Sequence, residues 1–192
     1  MYIPNVPFPA LGRTFILRIG HRVYRDSRVT THVCLTARAL GADGVIIADR
    51  EDKVVESTIR DVTDRFGGPF QVKSGIPWRK AVRDWKASGG KILHLTAYGV
   101  PLPKILPEIQ NMTYDILVIV GSEKMPGEVF KIADWNVSVT SQPMSEIAAL
   151  AIFLDWYTNH QEFDREFLDA WLRIVPSKDG KEIRQVSEKA MT

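Results

Sequence analysis

Short apolar runs alternate along the chain with segments in which apolar residues recur at helical spacing. The apolar runs predict strands at Phe15–Ile19, Gly44–Ala48, Lys91–Thr96, Asp115–Val120 and Asn136–Thr140, with a short further strand at Phe70–Lys73. The helical spacing predicts helices over Val29–Leu40, Asp52–Phe66, the segment from Pro77 to Gly89, Pro143–Tyr157 and Glu162–Val175. Lys178–Thr192 is polar and is predicted to be a loose tail.

Strands that alternate with helices predict an α/β fold with a mainly parallel sheet and helices on both faces. The run DILVIV at Asp115–Val120 is apolar almost throughout, as expected for a strand whose two faces are both covered. We expect one domain over residues 1–175, followed by a polar tail over residues 176–192. Ligands of such sheets bind beyond the carboxyl ends of the strands, so the candidate site is formed by the loops that follow Lys91–Thr96, Asp115–Val120 and Asn136–Thr140.

The loop GSEKMPGE, which follows Asp115–Val120, begins at Gly121. A glycine there allows a close approach of the backbone to a ligand. Neither this loop nor any other segment matches GxGxxG or the P-loop pattern, which disfavours a dinucleotide site and an NTPase site. The second loop, TAYGVPLP, offers the hydroxyls of Thr96 and Tyr98. His94, in the strand before it, is expected to be a histidine of the core.

The third loop, SQPMSE, leads into the helix Pro143–Tyr157. Pro143 stands where the first helical position is expected, and Glu146 lies in the first turn, where the positive end of the helix favours a carboxylate. The body of this helix, IAALAIFL, is apolar nearly all round, which predicts burial in the core or by a second subunit.

Composition narrows the class of protein without identifying a partner. The 192 residues are 45% hydrophobic and 25% charged, which fits one globular domain and excludes collagen-like, mucin-like and disordered chains. The single cysteine, Cys34, excludes an internal disulfide and a cysteine-based zinc site, and the four histidines show no HExxH spacing, so we expect no metal. No signal peptide or membrane-length apolar run is visible, and we expect a cytoplasmic protein.

Charge is unevenly distributed, although the formal net charge is only +2. The stretch from residue 13 to residue 38 contains one acid, Asp26, and six arginines: Arg13, Arg18, Arg22, Arg25, Arg28 and Arg38. Within it, HRVYRDSRVTTH places three arginines in seven residues, and planar guanidinium groups suit contacts to phosphate. We therefore predict an RNA-binding site there, against the alternative of a solvated basic turn in which Asp26 pairs with one arginine. Its predicted RNA-binding residues are His21, Arg22, Arg25, Arg28 and His32.

Four segments in this order, HRVYRDSRVTTHVCLTARALGADG, HLTAYG, VGSEKMPGEVF and NVSVTSQPMSEIAALAIFLD, resemble the archaeal tRNA cytidine-56 2′-O-methyltransferase family of the SPOUT superfamily. The resemblance spans about residues 15–157. It implies a deep trefoil knot formed by the C-terminal segments, a homodimer, S-adenosylmethionine as cofactor, and the ribose of a cytidine in the T-loop of tRNA as substrate. The sequence departs from the family pattern at Met144, where a histidine is expected, and at Ser141, where an asparagine is expected.

By motif match, the resemblance assigns the cofactor to the three loops. The cofactor-binding residues it implies are Leu95, Thr96, Gly121, Ser122, Glu123, Lys124, Met125, Val139, Thr140, Ser141, Gln142, Pro143, Met144, Ser145 and Glu146.

Direct methyl transfer from a sulfonium requires that the ribose hydroxyl be positioned and lose its proton. Arg28 is our first choice of catalytic residue, Arg25 the second and Arg22 the third. The guanidinium group keeps its proton and cannot accept one from the hydroxyl, so each arginine would position the hydroxyl and stabilise developing negative charge. Two alternatives remain at this point. One is a SPOUT enzyme that modifies another nucleotide or a base, and the other is a non-catalytic RNA-binding protein of the same fold.

Overall fold

The computed structural model describes residues 11–122, 124–167 and 169–186. The strands along these residues are β1 Thr14–Ile19, β2 Gly44–Ala48, β3 Gln71–Ile76, β4 Lys91–Pro101, β5 Ile116–Gly121, β6 Trp135–Ser138, β7 Leu172–Val175 and β8 Glu182–Gln185. The α-helices are α1 Val23–Ala39, α2 Lys53–Phe66, α3 Trp78–Ala87, α4 Leu102–Gln110, α5 Gly127–Ile132 and α6 Glu146–Tyr157, and Gln161–Asp164 forms a 3₁₀ turn.

Six strands form one parallel sheet in the order β3-β2-β1-β5-β4-β6. The predicted α/β fold with a mainly parallel sheet is therefore confirmed. β1 and β5 lie at the centre and pair over their whole length, from Thr14 opposite Ile116 to Ile19 opposite Gly121. Apart from the partly buried Phe15, their large apolar residues are almost completely buried, and burial of each contributes about 1.5–3 kcal/mol before the loss of entropy.

Helices cover both faces of the sheet, as expected. One hydrophobic core joins side chains of the sheet with those of α1, α2, α4 and α6, and it includes Val33, Ile59, Ile109 and Phe153. The other core joins the opposite sheet face with α3 and α5 through residues such as Trp78 and Val129. No helix within the described ranges is long and apolar enough to cross a membrane.

Two predicted helix starts need correction, and one helix was missed. α1 begins at Val23 instead of Val29, because the residues from Arg25 to Arg28 are all polar, so apolar residues do not recur at helical spacing before Val29. α4 was not expected, since its two prolines, Pro103 and Pro107, suggest a loop; Pro103 lies in the first turn, where a missing N–H costs little. α6 begins at Glu146 instead of Pro143, because the hydroxyl of Ser145 accepts the Ile147 N–H as the helix cap.

The predicted helix Glu162–Val175 is wrong. After the 3₁₀ turn this segment crosses the C-terminal end of α2 in irregular conformation and ends in β7, which pairs antiparallel with β8. Its aromatic residues, whose spacing had suggested a helix, make separate contacts: Phe163 stacks on His160, and Phe167 lies beneath the guanidinium of Arg38. Leu168 lies outside the described residues.

The loose-tail prediction for Lys178–Thr192 also fails where the structure describes the segment, because Glu182–Gln185 form β8. β8 lies opposite β7 with Ile183 beside Ile174 and Arg184 beside Arg173. Residues 187–192 lie outside the described residues.

Candidate active site

A cavity of about 680 Å³ opens at the carboxyl ends of β4, β5 and β6, where the topology of the sheet predicts a ligand site. All three candidate loops line it. The lining residues that were predicted to bind the cofactor are Leu95, Thr96, Gly121, Ser122, Lys124, Met125, Val139, Thr140, Pro143, Met144 and Glu146. Ser141, Gln142 and Ser145 are exposed and do not line this cavity, and Glu123 lies outside the described residues.

Residues 96–99 leave the plane of the sheet and form one wall of the cavity. Leu95 and Val100 both lie opposite Val137 of β6, so the four residues between them are an excursion from β4. A side chain at Gly99 would meet the backbone of Val137 at 2.5 Å, and therefore only glycine fits the return of the chain. The Ser138 hydroxyl donates to the Gly99 carbonyl at 3.0 Å and fixes this return.

An ion pair that sequence reasoning missed supports the cavity from behind. Arg18 is the fifth residue of β1 and is completely buried, and its Nη2 donates to Oε1 of Glu146 at 2.9 Å. Within the described part of the chain, Nε and Nη1 of Arg18 are buried without a hydrogen-bond partner. The sequence signal was an arginine inside an otherwise apolar strand, FILRI, where a charge requires a specific partner.

The arginine-rich segment lies beside the cavity. The Ser122 N–H donates to the Ile19 carbonyl at 3.0 Å, and its hydroxyl donates to the carbonyl of Gly20, so the loop after β5 is fixed to the loop after β1. α1 begins three residues after Gly20. The geometry thus brings together the predicted RNA-binding segment and the predicted cofactor loops.

Most of the predicted RNA-binding side chains face solvent. Arg25, Arg28 and His32 are exposed on α1. Arg22 donates through Nε to Asp26 at 2.8 Å, which is the pairing that the alternative interpretation of a basic turn expected. The same guanidinium holds the pKa of the Asp26 carboxyl below its ordinary value.

His21, which was predicted to bind RNA, is 3% exposed and does not present its ring to solvent. Its Nε2 lies 2.9 Å from Oδ2 of Asp52, and its Nδ1 lies 2.9 Å from the Thr30 hydroxyl. The Ser27 hydroxyl donates to the same oxygen of Asp52 at 2.8 Å. A direct contact of His21 with RNA is therefore a wrong prediction for this conformation, because the ring instead joins α1 to the start of α2.

Asp52 is the acceptor at the centre of this network and the N-cap of α2. Burial alone would raise its pKa, yet the hydrogen bonds from the Val55 N–H, Ser27 and His21 lower the pKa below its ordinary value. Its own N–H donates to Ser74 of β3 at 2.9 Å. Sequence reasoning missed this residue, because nothing in the local pattern links position 52 to position 21.

His94 behaves as the core histidine that was expected. Its ring is 1% exposed, its Nδ1 lies 2.8 Å from Oδ1 of Asn136, and the ring of Phe130 packs edge-on at 4.7 Å. Burial lowers the pKa of His94 below its ordinary value, which favours the neutral ring.

A second cavity, of about 450 Å³, lies at the opposite end of the sheet, between the start of β1 and the end of α6. Beside it, Asp155, His160 and Glu162 place potential metal-ligand atoms within 4.8 Å of one another. These side chains already make hydrogen bonds. His160 Nδ1 lies 2.8 Å from the carboxylate of Asp155, and the Thr158 hydroxyl donates to the carboxylate of Glu162.

Sequence comparison identifies relatives over nearly the whole chain. A family profile described as tRNA ribose 2′-O-methyltransferase, aTrm56, matches residues 66–184. A protein of Methanoregula boonei named tRNA (cytidine(56)-2′-O)-methyltransferase is 53% identical over 171 residues, which cover 89% of this chain and 96% of the relative. A protein of the same name from Methanopyrus kandleri is 49% identical over 174 residues, which cover 91% and 97% of the two chains.

Solved structures share the fold at low sequence identity. An RNA 2′-O ribose methyltransferase superposes with a TM-score of 0.58 at 14% identity, over 83% of this chain and 62% of the other. The SpoU methyltransferase AviRb from Streptomyces viridochromogenes, solved in complex with the cofactor AdoMet, superposes with a TM-score of 0.55 at 17% identity, over 82% and 60% of the two chains. The fold is thus that of SpoU methyltransferases, and the chain belongs to the tRNA ribose 2′-O-methyltransferase family, aTrm56.

Proposed function

We propose that this protein transfers a methyl group from S-adenosylmethionine to the ribose 2′-hydroxyl of cytidine 56 of tRNA, in the cytoplasm. The family supports the reaction, and one structural observation carries its assignment to this site. The loop lining the cavity is hydrogen-bonded through Ser122 to the loop that begins the arginine-rich helix. A donor in the cavity and an RNA backbone on α1 would therefore lie side by side.

The residues present fit the cofactor. A cavity of about 680 Å³ lies in the range that encloses a ligand of nucleoside size, and its walls combine the apolar side chains of Met125, Val137 and Met144 with backbone of glycine-containing loops. The carboxylate of Glu146, held by Arg18, adds acceptor oxygens to this wall, and they suit the polar groups of the cofactor. Bound S-adenosylmethionine would supply an activated methyl group, so no covalent enzyme intermediate is needed.

The chain itself would position the nucleophile. Arg28 and Arg25 are exposed on α1 and suit bidentate contacts to the phosphate next to the target ribose, which would hold the 2′-hydroxyl against the cavity mouth. Arginine stays protonated, so these residues stabilise developing negative charge, and the proton leaves to phosphate or water. Arg22 is held by Asp26 and orients the first turn of α1.

The trefoil knot and the homodimer belong to the same proposal. β6 lies at the sheet edge, yet Glu146 at the start of α6 reaches Arg18 of central β1, so the chain after β6 returns past β4 and β5. This return supports a threaded C-terminal segment. Two large apolar residues on α6, Ile152 and Trp156, are 38% and 41% exposed, which supports burial of this helix face by a second copy.

Methyl transfer from labelled S-adenosylmethionine to an unmodified tRNA transcript, followed by mapping of the modified nucleotide, tests the proposed function. We expect one 2′-O-methylcytidine, at position 56. Label on another nucleotide or on a base would show that the enzyme modifies a different target, and the assignment of the fold would still stand. A thermal shift with S-adenosylmethionine tests the alternative of a non-catalytic RNA-binding protein. A ligand at 100 times its dissociation constant stabilises the folded state by about 2.7 kcal/mol, whereas a protein that binds only RNA would show no shift.

A further inference from the structure

An aromatic ring of the cavity wall extends far into solvent. Tyr98 lines the cavity and is 88% exposed. Phe130, the other phenyl-type ring in the described lining, packs on His94. A tyrosine of a folded protein ordinarily buries much of its ring, so an outward ring at the mouth of a ligand site indicates a surface that another molecule covers.

The backbone presents this ring on a fixed support. Tyr98 lies in the excursion of residues 96–99, between two residues of β4 that both lie opposite Val137. The Tyr98 N–H points to the Thr96 hydroxyl at 3.4 Å, and the next residue, Gly99, packs against the backbone of β6. The ring is thus exposed although the segment that carries it is anchored on both sides.

We infer that Tyr98 stacks on the base of the target nucleotide when its ribose lies at the cavity mouth. This inference rests on the proposed function. A nucleotide whose ribose enters a protein site loses stacking with its neighbours, and proteins that read unpaired RNA replace this stacking with aromatic side chains. The cofactor is the less suitable occupant, because a ring that covered a ligand inside the cavity would itself be enclosed by the walls.

A double perturbation of protein and RNA tests the contact. The protein variants are Tyr98→Ala and Tyr98→Phe, with Tyr114→Ala as the matched control, since Tyr114 is 49% exposed and precedes β5 at the opposite end of the sheet. The RNA substrates are a tRNA transcript with cytidine at position 56 and one with an abasic ribose there, which keeps the 2′-hydroxyl. The readouts are kcat/KM for methyl transfer and the dissociation constant of S-adenosylmethionine.

We expect Tyr98→Ala to lower kcat/KM on the cytidine transcript about 5- to 150-fold, the value of one base–aromatic stack, without weakening S-adenosylmethionine binding. Tyr98→Phe and Tyr114→Ala should retain the wild-type value. The abasic ribose should slow the wild-type enzyme by a similar factor and Tyr98→Ala by little, because both changes remove the same contact.

Three results would overturn the inference. Unchanged kcat/KM in Tyr98→Ala would exclude stacking, independent and additive effects of the two perturbations would place Tyr98 on another group, and weaker S-adenosylmethionine binding would assign the ring to the cofactor. The proposed function is judged separately, by whether the wild-type enzyme methylates the cytidine transcript at position 56.

Discussion

The imidazole of His21 lies 2.9 Å from the carboxylate of Asp52, and both side chains are buried. The pair joins the loop that begins the arginine-rich helix α1 to the N-cap of α2. The bonds of His21 and Ser27 to Asp52 therefore fix the orientation of α1, whose Arg25 and Arg28 face solvent. The role of His21 follows from this geometry: it positions the arginines of α1 that we propose to bind RNA, without contacting the RNA itself.

Asp52→Ala should both destabilise the protein and slow methyl transfer. The change leaves the Val55 N–H, the Ser27 hydroxyl and the His21 ring without their acceptor, and a buried group that loses its partner costs about 1–3 kcal/mol. Urea unfolding and kcat/KM for tRNA measure the two effects. Glu51→Ala is the control, because the Glu51 side chain is 63% exposed, and it should change neither quantity appreciably.

Arg28→Ala should lower kcat/KM for tRNA about 10²- to 10³-fold, the loss that follows removal of one group that stabilises developing charge. S-adenosylmethionine binding and the free energy of unfolding should stay at wild-type values, because Arg28 is exposed on α1. Arg83→Ala provides the control. Arg83 is 73% exposed and lies on α3, which covers the other face of the sheet. Wild-type turnover by Arg28→Ala would remove this residue from the reaction.

Arg18→Met should weaken S-adenosylmethionine binding without lowering the free energy of unfolding. The substitution removes a buried charge with two unpartnered nitrogens, and the loss of about 3–5 kcal/mol that follows when a buried partner charge is stranded should be largely avoided, because Glu146 reaches solvent. Glu146, whose side chain is 30% exposed, stays hydrated but loses its anchor in the cavity wall. Calorimetry should therefore find weaker S-adenosylmethionine binding, by about tenfold or more, while the unfolding transition does not move to lower urea. A large loss of stability with unchanged binding would contradict this account.

His94 should make stability depend on pH. Burial lowers its pKa below 6.5, whereas in the unfolded chain the ring takes up a proton near its ordinary value. The unfolded state therefore binds more protons below about pH 6.5, and the free energy of unfolding should fall as the pH decreases from 7 to 5. In His94→Gln this slope should be smaller. If urea unfolding gave the same slope for the two proteins, His94 would not be the cause of the pH dependence of stability.

Much of the fold follows from local pattern. Runs such as DILVIV at Asp115–Val120 bury both faces and identify the central strands, and glycine and proline mark the loops that line the cavity. The failures have a common physical origin. The aromatic spacing of Glu162–Val175 fits a helix equally well, and only contacts to distant residues such as Arg38 select the irregular path. The Arg18–Glu146 pair joins positions 128 residues apart, which no local pattern contains.

Removal of one oxygen atom from the tRNA tests the identity of the methyl acceptor most directly. The wild-type enzyme is given labelled S-adenosylmethionine and either an all-ribose tRNA transcript or the same transcript with 2′-deoxycytidine at position 56. We expect label on the first transcript, recovered as 2′-O-methylcytidine at position 56, and none on the second. Equal label on both transcripts would show that the 2′-hydroxyl of that cytidine is not the methyl acceptor and would contradict the proposed function.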